Sequence, residues 1–164
     1  MSLTIGIDPG SRITGYGLVE RRGAEILYVA SGIIRTGAAG PIEARLLTIK
    51  RELDEVIGRF HPEAIAVEKI FMAKNPKTTL TLGQARGVVL LAAAEAGLSV
   101  FEYTPREVKS SITGAGAAHK SQVAAMVGRL MKLDHEPETE DETDAIAVAF
   151  CHAIRAGGLR GRLT

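Results

Sequence analysis

The chain has 164 residues, of which 46% are hydrophobic and 24% are charged, and its formal net charge is +1. These values are typical of one folded domain and argue against a disordered chain. A single cysteine excludes an internal disulfide framework and suits the reducing cytoplasm. Asp8 interrupts the first apolar segment and no apolar run is long enough to cross a bilayer, so we expect neither a secretory leader nor a membrane span. The near-neutral charge does not indicate a nucleic-acid partner, which would need locally clustered Lys and Arg.

The N-terminal region predicts three strands joined by short turns. Apolar residues alternate with others over residues 3–7, which is typical of a strand with two different faces, and Asp8 ends this strand just before the turn at Pro9-Gly10. Further strands are predicted over residues 14–19 and 25–34. An ordinary Asp-Pro-Gly turn explains the first stretch when it is taken alone. A carboxylate at the end of a central strand is, however, held rigidly, as a metal ligand must be.

An amphipathic helix and a fourth strand are predicted next. The helix begins at Pro41 and continues for about five turns until His61-Pro62 ends it. Over residues 63–69 the side chains again alternate between two faces, which predicts a mostly apolar strand. Glu68 ends this strand as Asp8 ends the first. A strand, a helix and a second strand in succession imply a crossover connection and a parallel pairing.

A polar loop over residues 70–79 and a helix over residues 79–96 follow. The helix is rich in glycine and alanine, and each glycine inside a helix costs about 1 kcal/mol relative to alanine. Close packing should offset that cost, either against the sheet of the same chain or against a two-fold partner. The loop carries side chains that could contact DNA: Phe71, Lys74, Asn75 and Lys77.

The C-terminal half predicts one more strand and three helices. A strand is expected over residues 98–103, a short helix over 105–112, a flexible Gly/Ala stretch over 114–118, a helix beginning at His119 or Lys120, an acidic connector over 134–139 and a final helix over 140–155. We expect one domain over residues 1–156 and a mobile tail over residues 157–164.

The final helix begins with an unusual pair of carboxylates. Asp141 and Asp144 are three residues apart, so they share one face of the helix, and that face continues into an apolar stripe. The helix dipole explains acidic residues in a first turn, such as Glu142. The dipole explains Asp144 poorly, because a carboxylate in line with a buried apolar stripe needs a partner. Lys132 is the only Lys or Arg between Met131 and His152, so a local salt bridge is not available.

Four carboxylates therefore end two strands and begin one helix: Asp8, Glu68, Asp141 and Asp144. If they converge, they would repel one another strongly at neutral pH, and divalent cations would relieve that repulsion. Oxygen ligands favour magnesium or manganese. Two such ions about 4 Å apart could activate a water and stabilise the leaving oxygen of a phosphodiester.

The sequence resembles the RuvC family, bacterial Holliday-junction resolvases with a ribonuclease H-like fold. The resemblance implies an α/β protein with a five-stranded mixed sheet flanked by helices. It covers nearly the whole chain in family order, through residues 6–11 (GIDPGS), 14–17 (TGYG), 66–75 (AVEKIFMAKN), 82–87 (LGQARG), 109–122 and 141–145 (DETDA).

The resemblance also implies roles for individual residues. The four carboxylates correspond to catalytic ligands of two Mg²⁺ ions per site, with Mn²⁺ as a substitute. Lys109 and Lys120 correspond to basic residues near the scissile phosphate, and Phe71 to an aromatic that contacts bases at the crossover point. The family acts in the cytoplasm as a homodimer, beside the branch-migration proteins RuvA and RuvB, and the helix over residues 79–96 is our candidate for the dimer contact. His119 could assist proton transfer.

The implied activity is endonucleolytic. Paired, symmetric nicks in a four-way DNA junction would leave 5′-phosphate and 3′-hydroxyl ends during homologous recombination and DNA repair. Three alternatives remain: a ribonuclease H-like nuclease acting on RNA, a non-catalytic junction binder, and an actin-like nucleotide-binding lobe, whose phosphate loop residues 6–11 also resemble. The Asp141/Asp144 pair argues against an inactive binder, and 164 residues supply one of the two lobes that an actin-like protein needs.

Overall fold

Five strands form one mixed sheet in the computed structural model, which describes residues 1–37, 40–69 and 75–160. Within those residues the strands are β1 (Ser2–Asp8), β2 (Ile13–Arg22), β3 (Glu25–Arg35), β4 (Ala64–Glu68) and β5 (Ser99–Tyr103). Their order in the sheet is β3-β2-β1-β4-β5. The three N-terminal strands pair in antiparallel fashion, whereas β4 runs parallel to β1 and to β5. The predicted mixed sheet and parallel pairing are confirmed.

Helices cover both faces of this sheet. They are α1 (Ile42–Phe60), α2 (Pro76–Glu95), α3 (Pro105–Thr113), α4 (Lys120–Met131) and α5 (Glu140–Arg160). One buried cluster joins α1 and α2 to side chains such as Ile5 and Ile65, and the other joins α3, α4 and α5 to the opposite face. A chain with two apolar sheet faces buries them in this way, as a three-layer sandwich. None of the helices in the described part of the chain is long and apolar enough to cross a membrane.

Two helix boundaries differ from the sequence prediction. The helix α2 begins at Pro76 instead of residue 79, because Asn75 caps it through its side chain and proline is well accommodated in a first turn. The helix α5 ends at Arg160, five residues beyond the predicted end. Residues 157–160 are therefore helical, and residues 161–164 lie outside the described residues. That residues 157–164 form a mobile tail stays a prediction.

Glycines in two strands let α5 approach the sheet closely. A Cβ at Gly6 in β1 would overlap the carbonyl oxygen of Ala145, and a Cβ at Gly17 in β2 would lie 2.7 Å from the Cα of Ile146. The backbone of α5 therefore packs directly on the two strands at these glycines. This contact brings the first turn of α5 to the carboxyl-terminal end of β1.

Candidate active site

The four predicted carboxylates lie near one another at the carboxyl-terminal ends of the central strands β1 and β4. Because β1 and β4 are parallel neighbours, Asp8 and Glu68 lie side by side at their ends, and α5 places Asp141 and Asp144 near those ends. The pKa of Asp8 is raised from 3.8 to about 7, first by burial and then by the charges of the other three carboxylates. All four groups are thus close enough to interact electrostatically, as the sequence predicted.

Burial and like charge act on Glu68 and Asp144 as well. Burial is the main cause of the raised pKa of Glu68, and the charge of Asp144 adds to it. Burial also raises the pKa of Asp144, with smaller contributions from Glu140 and Asp141, although Lys120 opposes the shift. Desolvation together with nearby negative charge disfavours ionisation, so this cleft attracts cations.

Lys120 places a positive charge beside Asp144 and Glu140. Its Nζ lies 3.5 Å from Asp144 Oδ2 and 3.2 Å from Glu140 Oε2. These contacts raise the pKa of Lys120, with Asp144 as the largest cause. The sequence excluded a local salt bridge for Asp144, and this partner is not local: Lys120 is the first residue of α4, and tertiary packing brings it to α5. Lys109 on α3 also acts on Glu68, because its positive charge partly offsets the rise in the pKa of that carboxylate.

The donor set fits a hard divalent cation in its chemistry. The four predicted ligands are all carboxylates, which Mg²⁺ and Mn²⁺ prefer, and rigid strand and helix ends hold their backbones. Within residues 1–37, 40–69 and 75–160, no three acidic, histidine or cysteine side chains are close enough together to form a complete metal site. Asp144 is instead paired with Lys120. The assignment of these residues as metal ligands therefore stays a prediction.

Gly15 determines how closely Asp141 approaches Asp8. In the antiparallel pairing of β1 with β2, Gly15 lies directly opposite Asp8. A Cβ at Gly15 would overlap the carbonyl oxygen of Asp141 and would lie 2.9 Å from the backbone nitrogen of Glu142. The first turn of α5 consequently rests on the strand position beside Asp8. The sequence motif at residues 14–17 contained this glycine, but the pattern did not indicate what it contacts.

Glu142 has a different role from the one that the sequence indicated. Glu142 is only 4% exposed, so it is not a solvated acid that only interacts with the helix dipole. Its Oε1 accepts a hydrogen bond from Ser31 Oγ at 2.5 Å, and its Oε2 accepts one from the backbone N–H of Glu138 at 2.7 Å. No local pattern could have identified this carboxylate, because Ser31 lies 111 residues away in sequence.

The predicted DNA-contacting residues divide into two groups. Asn75 and Lys77 were expected in a loop, but Asn75 caps α2 by accepting a hydrogen bond from the Lys77 backbone nitrogen at 2.9 Å, and Lys77 lies in the first turn. Phe71 and Lys74 lie outside the described residues. His119 precedes α4, where its backbone N–H donates to Gln122 Oε1 at 2.9 Å. Contact of these residues with DNA, and proton transfer by His119, stay predictions.

The raised pKa of Asp8 predicts that the contribution of this residue to stability, in the presence of a chelator, falls as the pH rises. An unfolded aspartate loses its proton near pH 3.8, whereas folded Asp8 keeps it until about pH 7. The folded state binds more protons in this window, so its stabilising contribution is complete below the lower pKa and lost above the higher one. The whole shift corresponds to about 4 kcal/mol at most.

Urea unfolding at pH 4, 5.5 and 8 in a chelator would measure this effect. The difference in free energy of unfolding between Asp8→Asn and the wild type should increase with pH in favour of the variant. Parallel pH profiles for the two proteins would contradict the raised pKa of Asp8.

The sheet order, with acidic side chains at adjoining strand ends and at the start of the last helix, defines an α/β protein of the ribonuclease H-like class. The family model described as "Crossover junction endodeoxyribonuclease RuvC" matches residues 4–152. The chain belongs to the RuvC family of crossover junction endodeoxyribonucleases, as the sequence resemblance predicted.

Relatives and solved structures agree with this classification. The chain is 49% identical over 153 residues to the RuvC endodeoxyribonuclease of Pseudomonas putida, covering 93% of this chain and 87% of the relative. It is 51% identical over 151 residues to that of Pelotomaculum thermopropionicum, covering 92% of each. The structure of T. thermophilus RuvC in complex with Holliday junction substrate matches with a TM-score of 0.90 at 36% identity, covering 96% of both chains. A yeast mitochondrial Holliday junction resolvase, at 12% identity and a TM-score of 0.67, shares the fold.

Proposed function

We propose that this chain resolves four-way DNA junctions by paired, symmetric nicks during homologous recombination and DNA repair. The carboxylate cleft around Asp8 is the observation that carries the proposal. Its four carboxylates are partly exposed at the ends of β1 and β4 and at the start of α5, and the positive charge of Lys120 lies beside Asp144. The T. thermophilus relative of the same fold was solved with a Holliday junction substrate, which supports the same class of DNA for this chain.

Asp8, Glu68, Asp141 and Asp144 would hold two Mg²⁺ ions, for which Mn²⁺ could substitute. When bound, such ions supply positive charge that activates a water and stabilises the departing 3′ oxygen, which leaves 5′-phosphate and 3′-hydroxyl ends. Desolvation and like-charge repulsion at Asp8 support this assignment, because a cation would relieve both. The carboxylates would hold these ions beside the reacting phosphate.

Lys120 and Lys109 would bind the scissile phosphate. The Lys120 side chain is 66% exposed even though its Nζ lies 3.5 Å from Asp144, so it can reach an incoming phosphate without leaving the cleft. Positive charge held next to the phosphate stabilises the additional negative charge of the transition state. Lys74, Asn75 and Lys77 would contact the DNA arms near the start of α2.

A nuclease assay with Mg²⁺ would test this function against its alternatives. We expect cleavage of a synthetic four-way junction at two symmetric positions, with little cleavage of a linear duplex of the same sequence. Preferential cleavage of an RNA–DNA hybrid would favour the RNA nuclease. Binding of the junction without cleavage would favour the inactive binder, and binding of a nucleotide instead of a junction would favour the actin-like lobe.

The outward face of α2 supports a homodimer, which would supply one active site for each of the two nicks. Leu80 and Leu91 on this helix are 66% and 52% exposed. A Cβ at Gly83 or Gly87 would meet no other atom within 4 Å in the described structure, so packing within the chain does not account for these glycines. Small residues between exposed leucines allow the close approach of a second copy.

The dimer proposal predicts that Leu91→Glu yields a monomer. A charge at this position would have to be desolvated in the interface, so the mass measured by light scattering should fall by half and paired nicking should be lost. Leu47→Glu on α1, where the native leucine is 49% exposed, is the matched control and should leave the mass unchanged. A dimer that survives Leu91→Glu would contradict the role of α2.

Phe71 is proposed, from the family resemblance, to contact unpaired bases at the crossover. Stacking on one base is worth about 1–3 kcal/mol, so Phe71→Ala should reduce junction resolution by about tenfold or more and leave duplex binding nearly unchanged. Cleavage rates and gel-shift titrations would measure the two effects. Equal losses of resolution and duplex binding would indicate that Phe71 is a structural anchor instead.

The family resemblance also proposes RuvA and RuvB as partners of this chain in the cytoplasm. Co-purification of the tagged chain with both proteins on a synthetic four-way junction would test this assembly. Recovery of the chain on the junction without either protein, at stoichiometric concentrations of all three, would contradict it.

A further inference from the structure

Glu142 is a buried carboxylate that links three separate segments at the start of α5. It accepts hydrogen bonds from Ser31 on β3 and from the backbone of Glu138 in the preceding connector. Ser31 Oγ is in turn 2.9 Å from the hydroxyl oxygen of Tyr28, also on β3. The backbone N–H of Glu142 donates to Thr139 Oγ1 at 3.3 Å. The first turn of α5 is thus tied to the edge strand of the sheet.

Helix stability alone does not account for this arrangement. An acidic residue in a first turn interacts with the helix dipole from an exposed position, as the neighbouring Glu140 can with a side chain that is 78% exposed. Burial of a carboxylate is costly unless hydrogen bonds satisfy it, and here two donors do so. Buried, directional hydrogen bonds of this kind fix the position of the helix turn that carries Glu142.

The same helix turn carries two of the predicted metal ligands, Asp141 and Asp144. Glu142 directly follows Asp141 and lies two residues before Asp144, so a rotation or lift of the first turn would move both carboxylates relative to Asp8. Gly15 limits how deep that turn can sit, because its position contacts the backbone of Asp141 and Glu142. The hydrogen bonds of Glu142 limit how far the turn can lift or rotate away.

We propose that Glu142 is a positioning residue for junction cleavage. Through Ser31 and the Glu138 backbone it holds the first turn of α5 in place, and with it the positions of Asp141 and Asp144 relative to Asp8 and Glu68. The inference rests on the proposed function, since it assigns Glu142 to the same site.

Glu142→Gln tests this role with Mn²⁺ binding as the readout. Glutamine has the same size but no charge, so the two charge-assisted hydrogen bonds from Ser31 and from the Glu138 N–H become weaker neutral ones, and the Ser31 hydroxyl must accept instead of donate if the amide nitrogen faces it. Loss of a residue that orients metal ligands should weaken Mn²⁺ binding, measured by calorimetry, by about 10- to 100-fold. The Mg²⁺ concentration for half-maximal cleavage should rise by a similar factor, and the affinity for a junction in chelator should stay unchanged.

Two further variants keep the test decisive. Glu136→Gln removes the same charge at an exposed position near the start of α5 and should bind Mn²⁺ as the wild type does. Ser31→Ala removes one donor and leaves the carboxylate in place, so it should weaken Mn²⁺ binding by about threefold to tenfold even if Glu142→Gln does not fold. Wild-type Mn²⁺ affinity in Ser31→Ala and in folded Glu142→Gln would overturn the proposal, whatever happens to the melting temperature.

Failure of this inference differs from failure of the proposed function. If the wild type does not cut junctions, the function fails, whereas Mn²⁺ binding by the variants still reports on the position of α5. If the wild type cuts junctions and the variants bind Mn²⁺ normally, the function stands and Glu142 has no positioning role.

Discussion

Asp8→Asn should reduce junction cleavage by about 10³-fold while junction binding in a chelator stays at the wild-type level. Asp8 is the most strongly perturbed carboxylate of the cleft, with a pKa of about 7, and it interacts with each of the other three. Asparagine preserves the shape of the side chain but removes the charge that would hold a cation beside the phosphate. Loss of one preorganised electrostatic group at a reacting centre costs about 10²–10³-fold, and a shared metal ligand belongs at the upper end of that range.

Single-turnover cleavage of a labelled four-way junction and a gel-shift titration would measure the two effects. Asp134→Asn is the matched control, because its side chain is 94% exposed and contacts only the neighbouring His135 among the described residues. This control should cleave at the wild-type rate. Cleavage by Asp8→Asn at the wild-type rate with Mg²⁺ would show that the four-carboxylate assignment is incorrect.

Gly15→Ala should destabilise the fold and reduce cleavage at the same time. The new methyl group would overlap the carbonyl oxygen of Asp141, which belongs to a helix backbone and cannot rotate away as a side chain can. Overpacking of this kind costs about 1–3 kcal/mol. If α5 lifts to relieve the overlap, Asp141 and Asp144 move away from Asp8, and a displacement of about 1 Å at a reacting centre can cost about 10²-fold in rate.

Urea unfolding and single-turnover cleavage would separate these two consequences of Gly15→Ala. Gly58→Ala is the matched control, since Gly58 lies within α1 and a Cβ there would meet no atom within 4 Å in the described structure. That substitution should raise the free energy of unfolding by about 1 kcal/mol, because alanine favours a helix over glycine, and should leave cleavage unchanged. Wild-type stability and activity in Gly15→Ala would contradict the close contact between β2 and α5.

Local patterns were sufficient to predict most of the secondary structure. Alternation over residues 3–7 predicted β1, and helical spacing after Pro41 predicted α1, whose observed bounds are Ile42–Phe60. The three-residue spacing of Asp141 and Asp144 predicted that both share one helix face. Such features depend on interactions between residues that are close in sequence, so a periodic pattern records them. The start of α2 was missed because the cap at Asn75 was assigned to a loop.

Local motifs were enough to predict the strand ends that carry Asp8 and Glu68, the helix start that carries the other two carboxylates, and the family to which the chain belongs. The groups that face these carboxylates are known only from the assembled fold. Lys120 contacts Asp144 from another helix, and Glu142 is buried against β3. Because Gly15 has no side chain, α5 packs closely on β2 beside Asp8. These contacts join residues that are distant in sequence, and their energies arise from packing and desolvation, which exist only once the sheet and its helices have assembled.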